Sequence, residues 1–336
     1  MASRTLRGAI VGASSLLGRE LAEQLNEASG ASWDITLLDA EDATGQVTAA
    51  GNEPLVIQPL APGAFDRMDI VFFAGDAPTV RTHWREAQEA GAGVVDLTGT
   101  LTSEPGIRVL APDVSTAAID LTTTAVVSAH PAALMLALAA GRLKQRFGAV
   151  RLIATVLEPA SEQGKAGLDE LHQQTVGLLS FQAVPKDVFD TQVAFNLATA
   201  LGPDAKVPLE QIALRIARDF ATVGDGQELA LQVVMAPVFN GYAASVFVAL
   251  SDSATVFEVR DALHGGVLDA QGTEDTGPSN LNASAQKKML VVARQDAMTP
   301  GGFWLWMAAD NLLFAAQNAV ACAMELAKFR PAGKVQ

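Results

Sequence analysis

The chain has 336 residues, 49% apolar and 18% charged, and its 23 Lys and Arg against 37 Asp and Glu give a net charge of −14. This composition can bury large cores and excludes a disordered chain, and the length suggests two domains or one large α/β unit. A surface this acidic repels polyphosphate and anionic lipid, which argues against nucleic acid and membrane as partners.

Residues 6–12 read as a short buried strand. Arg4 and Arg7 before a small apolar run imitate a secretory leader, but Gly12 and Gly18 interrupt that run and Arg19-Glu20 opens an amphipathic pattern, so a cytoplasmic first strand is expected. Leu17, Leu21 and Leu25 recur at i, i+4 and i+8 and form one apolar helix face over 18–28. Further strands are expected at 35–39, 69–74, 93–96 and 126–128, with helices over 79–91 and 131–146. Short apolar strands alternating with helices predict a parallel, doubly wound sheet. Beyond residue 150 the candidate strands, 150–157, 229–237 and 243–250, are longer and alternate, as in a sheet with one wet face. Helices are expected near 166–180 and 209–221, a polar loop at 269–285, and an Ala-rich helix at 310–329. Mean hydropathy is +0.24. The uncharged runs 121–141 and 229–251 are each broken by turn residues, so neither reads as a membrane span. The single cysteine, Cys322, excludes an internal disulfide and a multi-Cys metal site, and a reducing, cytoplasmic setting follows. The four histidines, His83, His130, His172 and His264, are scattered, and no metal site is expected.

Gly12-Ala-Ser-Ser-Leu-Leu-Gly18 lies between a strand and a helix, the context of a phosphate-binding turn. Backbone N–H groups and the helix N-terminus would face a pyrophosphate there. The candidate cofactor-binding residues are Gly12, Ser14, Ser15, Leu16, Gly18, Asp39 and Gly75. The middle position is Ser15 rather than glycine; its Cβ narrows the approach, while the Ser14 and Ser15 hydroxyls could donate to phosphate. Asp39 follows Gly18 by 21 residues, where a carboxylate accepts from a ribose 2′-OH and favours NAD over NADP. Tight βα turns use Gly and Ser in any case, and Asp39 also suits a strand end. The pattern therefore supports a Rossmann-type fold more firmly than a bound dinucleotide.

Several segments resemble, in order along the chain, the aspartate-semialdehyde dehydrogenase family. They are Ile10-Val-Gly-Ala-Ser-Ser-Leu-Leu-Gly18, Asp69-Ile-Val-Phe-Phe-Ala-Gly75, Val95-Asp-Leu-Thr98, Glu162-Gln-Gly-Lys-Ala-Gly-Leu-Asp-Glu-Leu171, Phe195-Asn196, Leu305-Trp306 and Asp310-Asn-Leu312. The resemblance implies a Rossmann-type domain over 1–130 together with a final helix at about 310–336. It implies a second α+β substrate and dimerisation domain with a mixed sheet over 131–309, and a homodimer. It also implies chemistry on aspartyl phosphate with NADPH, through a cysteine thiolate, a histidine base, an orienting glutamine and arginines that clamp carboxylate and phosphate.

At those positions the chain departs from the family. The nucleophile loop corresponds to Ala129-His-Pro-Ala-Ala133, which puts Ala132 at the nucleophile; a shift of one residue would put Pro131 there. The base position is Tyr242, the only tyrosine, and the carboxylate-binding arginine is Met235. The glutamine position is Glu158, the phosphate-binding arginine about Thr102, and a helical lysine Ile212. The Arg-Ser pair for the NADP 2′-phosphate is Asp42-Ala43. Cys322, in the final helix, reads as a small buried residue. Ser128 and His130 lie beside the nucleophile position, but a rebuilt Ser–His pair is not expected there, and His130 reads as a loop or helix-start residue. No catalytic residue is therefore assigned. The expected protein keeps the scaffold and a dinucleotide or small-metabolite pocket, binding NAD, NADP or neither, and lacks the dehydrogenase activity. Two alternatives stand beside this. One is a cysteine-independent oxidoreductase using Tyr242 and Glu158, for which a nearby cation would have to lower the phenol's pKa. The other is a non-enzymatic partner of an active relative.

Overall fold

The computed structural model describes residues 5–28, 31–50, 53–115, 120, 122–250, 253–271 and 277–329. In chain order the elements are β1 (Thr5–Val11), α1 (Leu16–Glu27), β2 (Ser32–Asp39), β3 (Val47–Ala50), β4 (Glu53–Val56), β5 (Gln58–Pro59), β6 (Ile70–Phe73), α2 (Ala77–Glu89), β7 (Gly93–Asp96), β8 (Arg108–Leu110) and β9 (Ala125–Ser128). There follow α3 (Pro131–Phe147), β10 (Arg151–Glu158), α4 (Gly164–Leu179), α5 (Leu209–Val223), β11 (Glu228–Met235), β12 (Tyr242–Ala249), α6 (Val256–Ala262), β13 (Leu268–Ala270), α7 (Asn280–Ala283), β14 (Met289–Gln295), β15 (Gly302–Ala309) and α8 (Asn311–Lys328). The chain divides into two compact units, Met1–His130 with Ala315–Gln336, and Pro131–Phe314. Among the described residues no helix is long and apolar enough to cross a membrane.

The first unit is a parallel sheet in the order β5-β2-β1-β6-β7-β9-β8. Strand order reverses between β1 and β6, and the turn after β1 therefore opens at a topological switch point, where such sheets bind ligands. β6, β7 and β9 are buried along their whole length, as strands covered on both faces must be. Leu21 and Leu25 of α1 pack with Ile10, Phe72, Val95 and Val126, and with Ala316, Ala319 and Cys322 of α8. Each fully buried leucine contributes about 1.5–3 kcal/mol. Ser15 caps α1, its hydroxyl accepting the Gly18 N–H at 2.9 Å.

The turn's glycines are required by backbone contact. Gly12 has φ +83°, and a Cβ there would lie 2.4 Å from the Gly75 backbone. A Cβ on Gly18 would lie 2.3 Å from the Gly12 carbonyl oxygen and 2.9 Å from the Ala13 Cα. These neighbours are main chain and cannot swing aside. Gly18→Ala is accordingly expected to cost about 1–3 kcal/mol through overpacking. Chemical denaturation would read the loss, and an unchanged midpoint would show that α1 moves away from β1 at no cost.

The second unit holds a mixed sheet in the order β11-β10-β12-β15-β14-β13, with β10–β11 and β13–β14 parallel and the other pairs antiparallel. Along β10, Leu152, Ala154 and Val156 are buried while Ile153 is half exposed, the period of two that the sequence shows. Several elements depart from the sequence expectation. The expected loop 269–285 begins within β13 and contains α7, capped by Ser279; its residues 272–276 lie outside the described residues. The β3–β4 hairpin, β5, β8, β14 and β15 were not anticipated. β14 and β15 lie next to each other in the sheet, and their near-continuous burial gives β14 no alternation to read.

Candidate functional site

The first unit places the predicted cofactor-binding residues around one turn. Asp39, at the end of β2, turns its carboxylate onto that turn: Oδ2 accepts the Ser14 N–H at 2.7 Å and Oδ1 the Ala40 N–H at 2.8 Å. A carboxylate has about four lone-pair sites, and Asp39 therefore keeps acceptor capacity for a ribose hydroxyl. The Ser15 hydroxyl is used differently from the expectation. It donates to the Ala74 carbonyl at 2.9 Å while accepting the Gly18 N–H, and so it is not a phosphate donor. Ser15 pins the end of β6 to the start of α1 and offers a ligand only its backbone. Asp42 lies exposed in the short turn after β2.

In the second unit two of the predicted site residues meet. Glu158 ends β10 and Tyr242 begins β12; the phenol donates to Glu158 Oε2 at 3.0 Å, and both side chains are buried. Met235, at the end of β11, is the register partner of Glu158. Glu162, in the turn that follows β10, approaches the same phenol. Asn311, fully buried at the start of α8, ties the group together. Its Nδ2 donates to Glu162 Oε1 at 2.6 Å and to Ser161 Oγ at 3.0 Å, and its Oδ1 accepts the Gly241 N–H at 2.9 Å. On α5, Arg215 faces both glutamates and lies 3.8 Å from Asp219, one turn on.

The electrostatics follow from burial. Desolvation raises Glu158 well above the ordinary carboxyl range, and the neighbouring Glu162 raises it further, against the Tyr242 hydrogen bond and the Arg215 charge. Glu162 is raised by the same desolvation. Tyr242 is pushed well above the usual phenol value by burial and then by the two carboxyls. The phenol is thus held neutral as a hydrogen-bond donor. A cysteine-independent route that uses Tyr242 as a base needs the opposite shift, and the site opposes it.

Ala132, His130, Ser128 and Cys322 are buried as well. Ala132 sits buried in the first turn of α3. His130 precedes that helix and is also buried. Ser128 accepts from Asn318 Nδ2 at 2.8 Å and belongs to the core of the first unit. Cys322 is buried, its thiol facing the Leu110 carbonyl at 3.7 Å, and burial raises its pKa, followed by the charge of Glu325. This is a structural thiol, as the sequence suggests. His83 packs edge-on to Phe65 and lies 3.2 Å from Glu86, and its side chain is partly buried. Among the described residues no group of acidic, His and Cys side chains could hold a metal. Sequence reasoning passed over Glu162, Arg215 and Asn311 as chemical groups. The available signals were faint: Arg215 and Asp219 sit at i, i+4 on a helix, and Glu162 and Asn311 fall inside segments read only for resemblance.

Comparison with known proteins follows the same division. The family model for the semialdehyde dehydrogenase NAD binding domain matches residues 7–122, and that for the semialdehyde dehydrogenase dimerisation domain matches 141–314. The aspartate-semialdehyde dehydrogenase of Bacillus subtilis (strain 168) is 24% identical over 341 residues, covering 97% of this chain and 98% of the relative. A USG-1 protein homolog of Pseudomonas aeruginosa is 30% identical over 335 residues, covering 95% and 96%. The structure of a probable aspartate-semialdehyde dehydrogenase from Pseudomonas aeruginosa superposes with a TM-score of 0.85 at 26% identity, covering 97% of this chain and 99% of that one. Aspartate semialdehyde dehydrogenase II from Vibrio cholerae, complexed with ASA, shares the fold at 23% identity and a TM-score of 0.85, covering 96% and 98%.

Proposed function

The chain belongs to the aspartate-semialdehyde dehydrogenase family, and from that membership we propose that it is a member without the family's thiol-dependent dehydrogenase chemistry, keeping a dinucleotide-binding turn and a homodimer-forming second domain. The observation that carries this reading is the state of the two central positions. Ala132 stands where the resemblance puts the nucleophile, and Tyr242 stands where it puts the base. Ala132 has no lone pair to attack an acyl carbon. Tyr242 is a buried, neutral phenol hydrogen-bonded to Glu158. Cys322 does not replace the missing thiolate, because burial keeps it protonated.

The residues of the first unit fit a nicotinamide dinucleotide, which would supply or accept hydride when bound. The left-handed Gly12 and the close approach of Gly75 leave a tight turn ahead of α1, whose N-terminal N–H groups favour an anion. Gly12, Ser14, Ser15, Leu16, Gly18 and Gly75 would line the pyrophosphate, with Ser14 to Leu16 contributing backbone. Asp39, held against the turn by the Ser14 N–H, would accept from an adenosine ribose hydroxyl. A 2′-phosphate there would meet the carboxylates of Asp39 and Asp42.

NAD(H) is therefore expected to bind more tightly than NADP(H), since one unmatched like-charge contact costs about 1–3 kcal/mol, or roughly 5- to 150-fold in affinity. Calorimetric titration of both cofactors at low and high salt measures this, and the preference should shrink as salt screens it. Equal or tighter NADP(H) binding would mean that a cation such as Arg19 on α1 reaches the phosphate. Failure of both to bind at millimolar concentration would mean that the Ser15 side chain closes the turn.

A further inference from the structure

We propose that the end of α4 and the long segment after it, with Phe181 and Phe195 as anchors, form the surface on which a second copy of this chain docks. The proposal rests on the homodimer of the proposed function and says where in the second unit the copies meet.

Between α4 and α5, residues 180–208 form no helix or strand. A stretch of that length without regular structure is either disordered or held in place to present something. This one is held. Glu170 and Gln174 lie one turn apart on α4, both buried, with their polar atoms turned onto its backbone. Glu170 accepts the N–H groups of Val188 at 2.6 Å and Phe189 at 3.2 Å. Gln174 accepts those of Val193 at 2.8 Å and Ala194 at 3.1 Å, and it donates to the carbonyls of Pro185 at 2.8 Å and Thr191 at 2.9 Å. Backbone groups satisfied in this way fix the segment against the helix.

What the segment presents is apolar. Phe181 is 99% exposed, Leu179 69%, Phe195 65% and Leu197 64%. Both phenylalanines have a left-handed backbone, with φ +54° and +59°. Phe181 stands just past Ser180, the cap of α4. Its N–H bonds the Leu178 carbonyl and the Gln182 N–H bonds the Gly177 carbonyl, a closure in which glycine is the usual residue. A bulky side chain there strains the backbone, and an exposed ring gains no packing in return. Burial against a partner surface supplies that packing.

Charge selects the occupant. The chain carries −14, and two copies therefore repel over most of their surface. Residues 173–185 and 191–203 contain no charged side chain. Two such surfaces can meet without bringing carboxylates together. The dimerisation-domain match, 141–314, contains all of both stretches.

Sedimentation of the full chain over a concentration series tests this. The unaltered protein should be a dimer, and Phe181→Ser combined with Phe195→Ser should raise its dissociation constant on the order of 100-fold, as loss of central aromatic anchors does. Phe257 on α6, also exposed, is the control, and Phe257→Ser should leave the dimer unchanged. All three substitutions alter exposed side chains, so circular dichroism should match that of the unaltered chain. Hydrogen exchange at 176–184 and 193–199 should slow as concentration rises through the dimerisation range. A dimer that survives the double substitution, with protection instead on the sheet face around Ile153 and Trp304, would overturn this surface while the homodimer stands. A monomer at every concentration would overturn both and leave the two phenylalanines to a different occupant.

Discussion

The protein, purified from a host that lacks its own aspartate-semialdehyde dehydrogenase, is expected to show no phosphate-dependent, NADP-linked oxidation of aspartate semialdehyde. The family reaction needs a thiolate that forms an acyl-enzyme and a base matched to neutral pH. Loss of a nucleophile from a group of residues acting as a unit costs on the order of 10⁶ in rate. Ala132→Cys alone should not restore turnover. The new thiol would lie in the first turn of α3, where a helix N-terminus helps ionise it, but the base position would still hold a phenol whose proton is kept by burial and two carboxyls. Met235 also offers nothing to a substrate carboxylate. A coupled absorbance assay on both proteins decides the point. Turnover like that of an active relative in the unaltered chain would sink the proposal, and rescue by the single cysteine would show that Tyr242 and Met235 are no obstacle.

The largest stability loss is expected at Asn311. Asn311→Ala removes the acceptor of the buried Gly241 N–H and the donor to Glu162 Oε1. Leaving the buried Gly241 N–H unsatisfied costs about 1–3 kcal/mol, and loss of the bond to the Glu162 carboxyl adds to it, so the substitution should destabilise by about 2–4 kcal/mol. Asn311→Asp separates packing from charge. It keeps an acceptor for Gly241 but sets a third carboxyl beside Glu162 and Glu158. Its deficit should accordingly be largest at alkaline pH and shrink in mild acid, where the cluster is protonated. Denaturant titrations across pH would show this slope; a deficit in Asn311→Asp that does not change with pH would mean that Glu162 is solvated enough to ignore a neighbouring charge.

The pattern of residues determines much of this protein locally. Leu17, Leu21 and Leu25 mark the α1 face because a helix returns to one side every three to four residues, and the buried residues of β10 alternate because a strand has a period of two. The Gly12–Gly18 turn is legible because the backbone conformation and close approach there exclude a Cβ. Resemblance extends along nearly the whole chain and identifies the family from short segments in order. The same residues are less informative where several segments meet. The Ser15 hydroxyl, which by sequence could donate to phosphate, is instead committed to the Ala74 carbonyl just past β6, 59 residues away. The β14–β15 pair was missed because burial hides the alternation of β14.

The candidate site in the second unit was half legible. Glu158 and Tyr242 stand out in the sequence at positions that the resemblance assigns to a glutamine and a histidine, but their direct hydrogen bond spans 84 residues of sequence, and Asn311 joins from 149 residues beyond Glu162. Composition and spacing set which residues are present and the periods of helices and strands. Only the tertiary structure decided that Glu158 and the single tyrosine are buried together, with Glu162 and Asn311 beside them. The protonation of a carboxyl depends on the water removed from it and on the charges brought near it, and folding supplies both by joining segments that no local pattern connects.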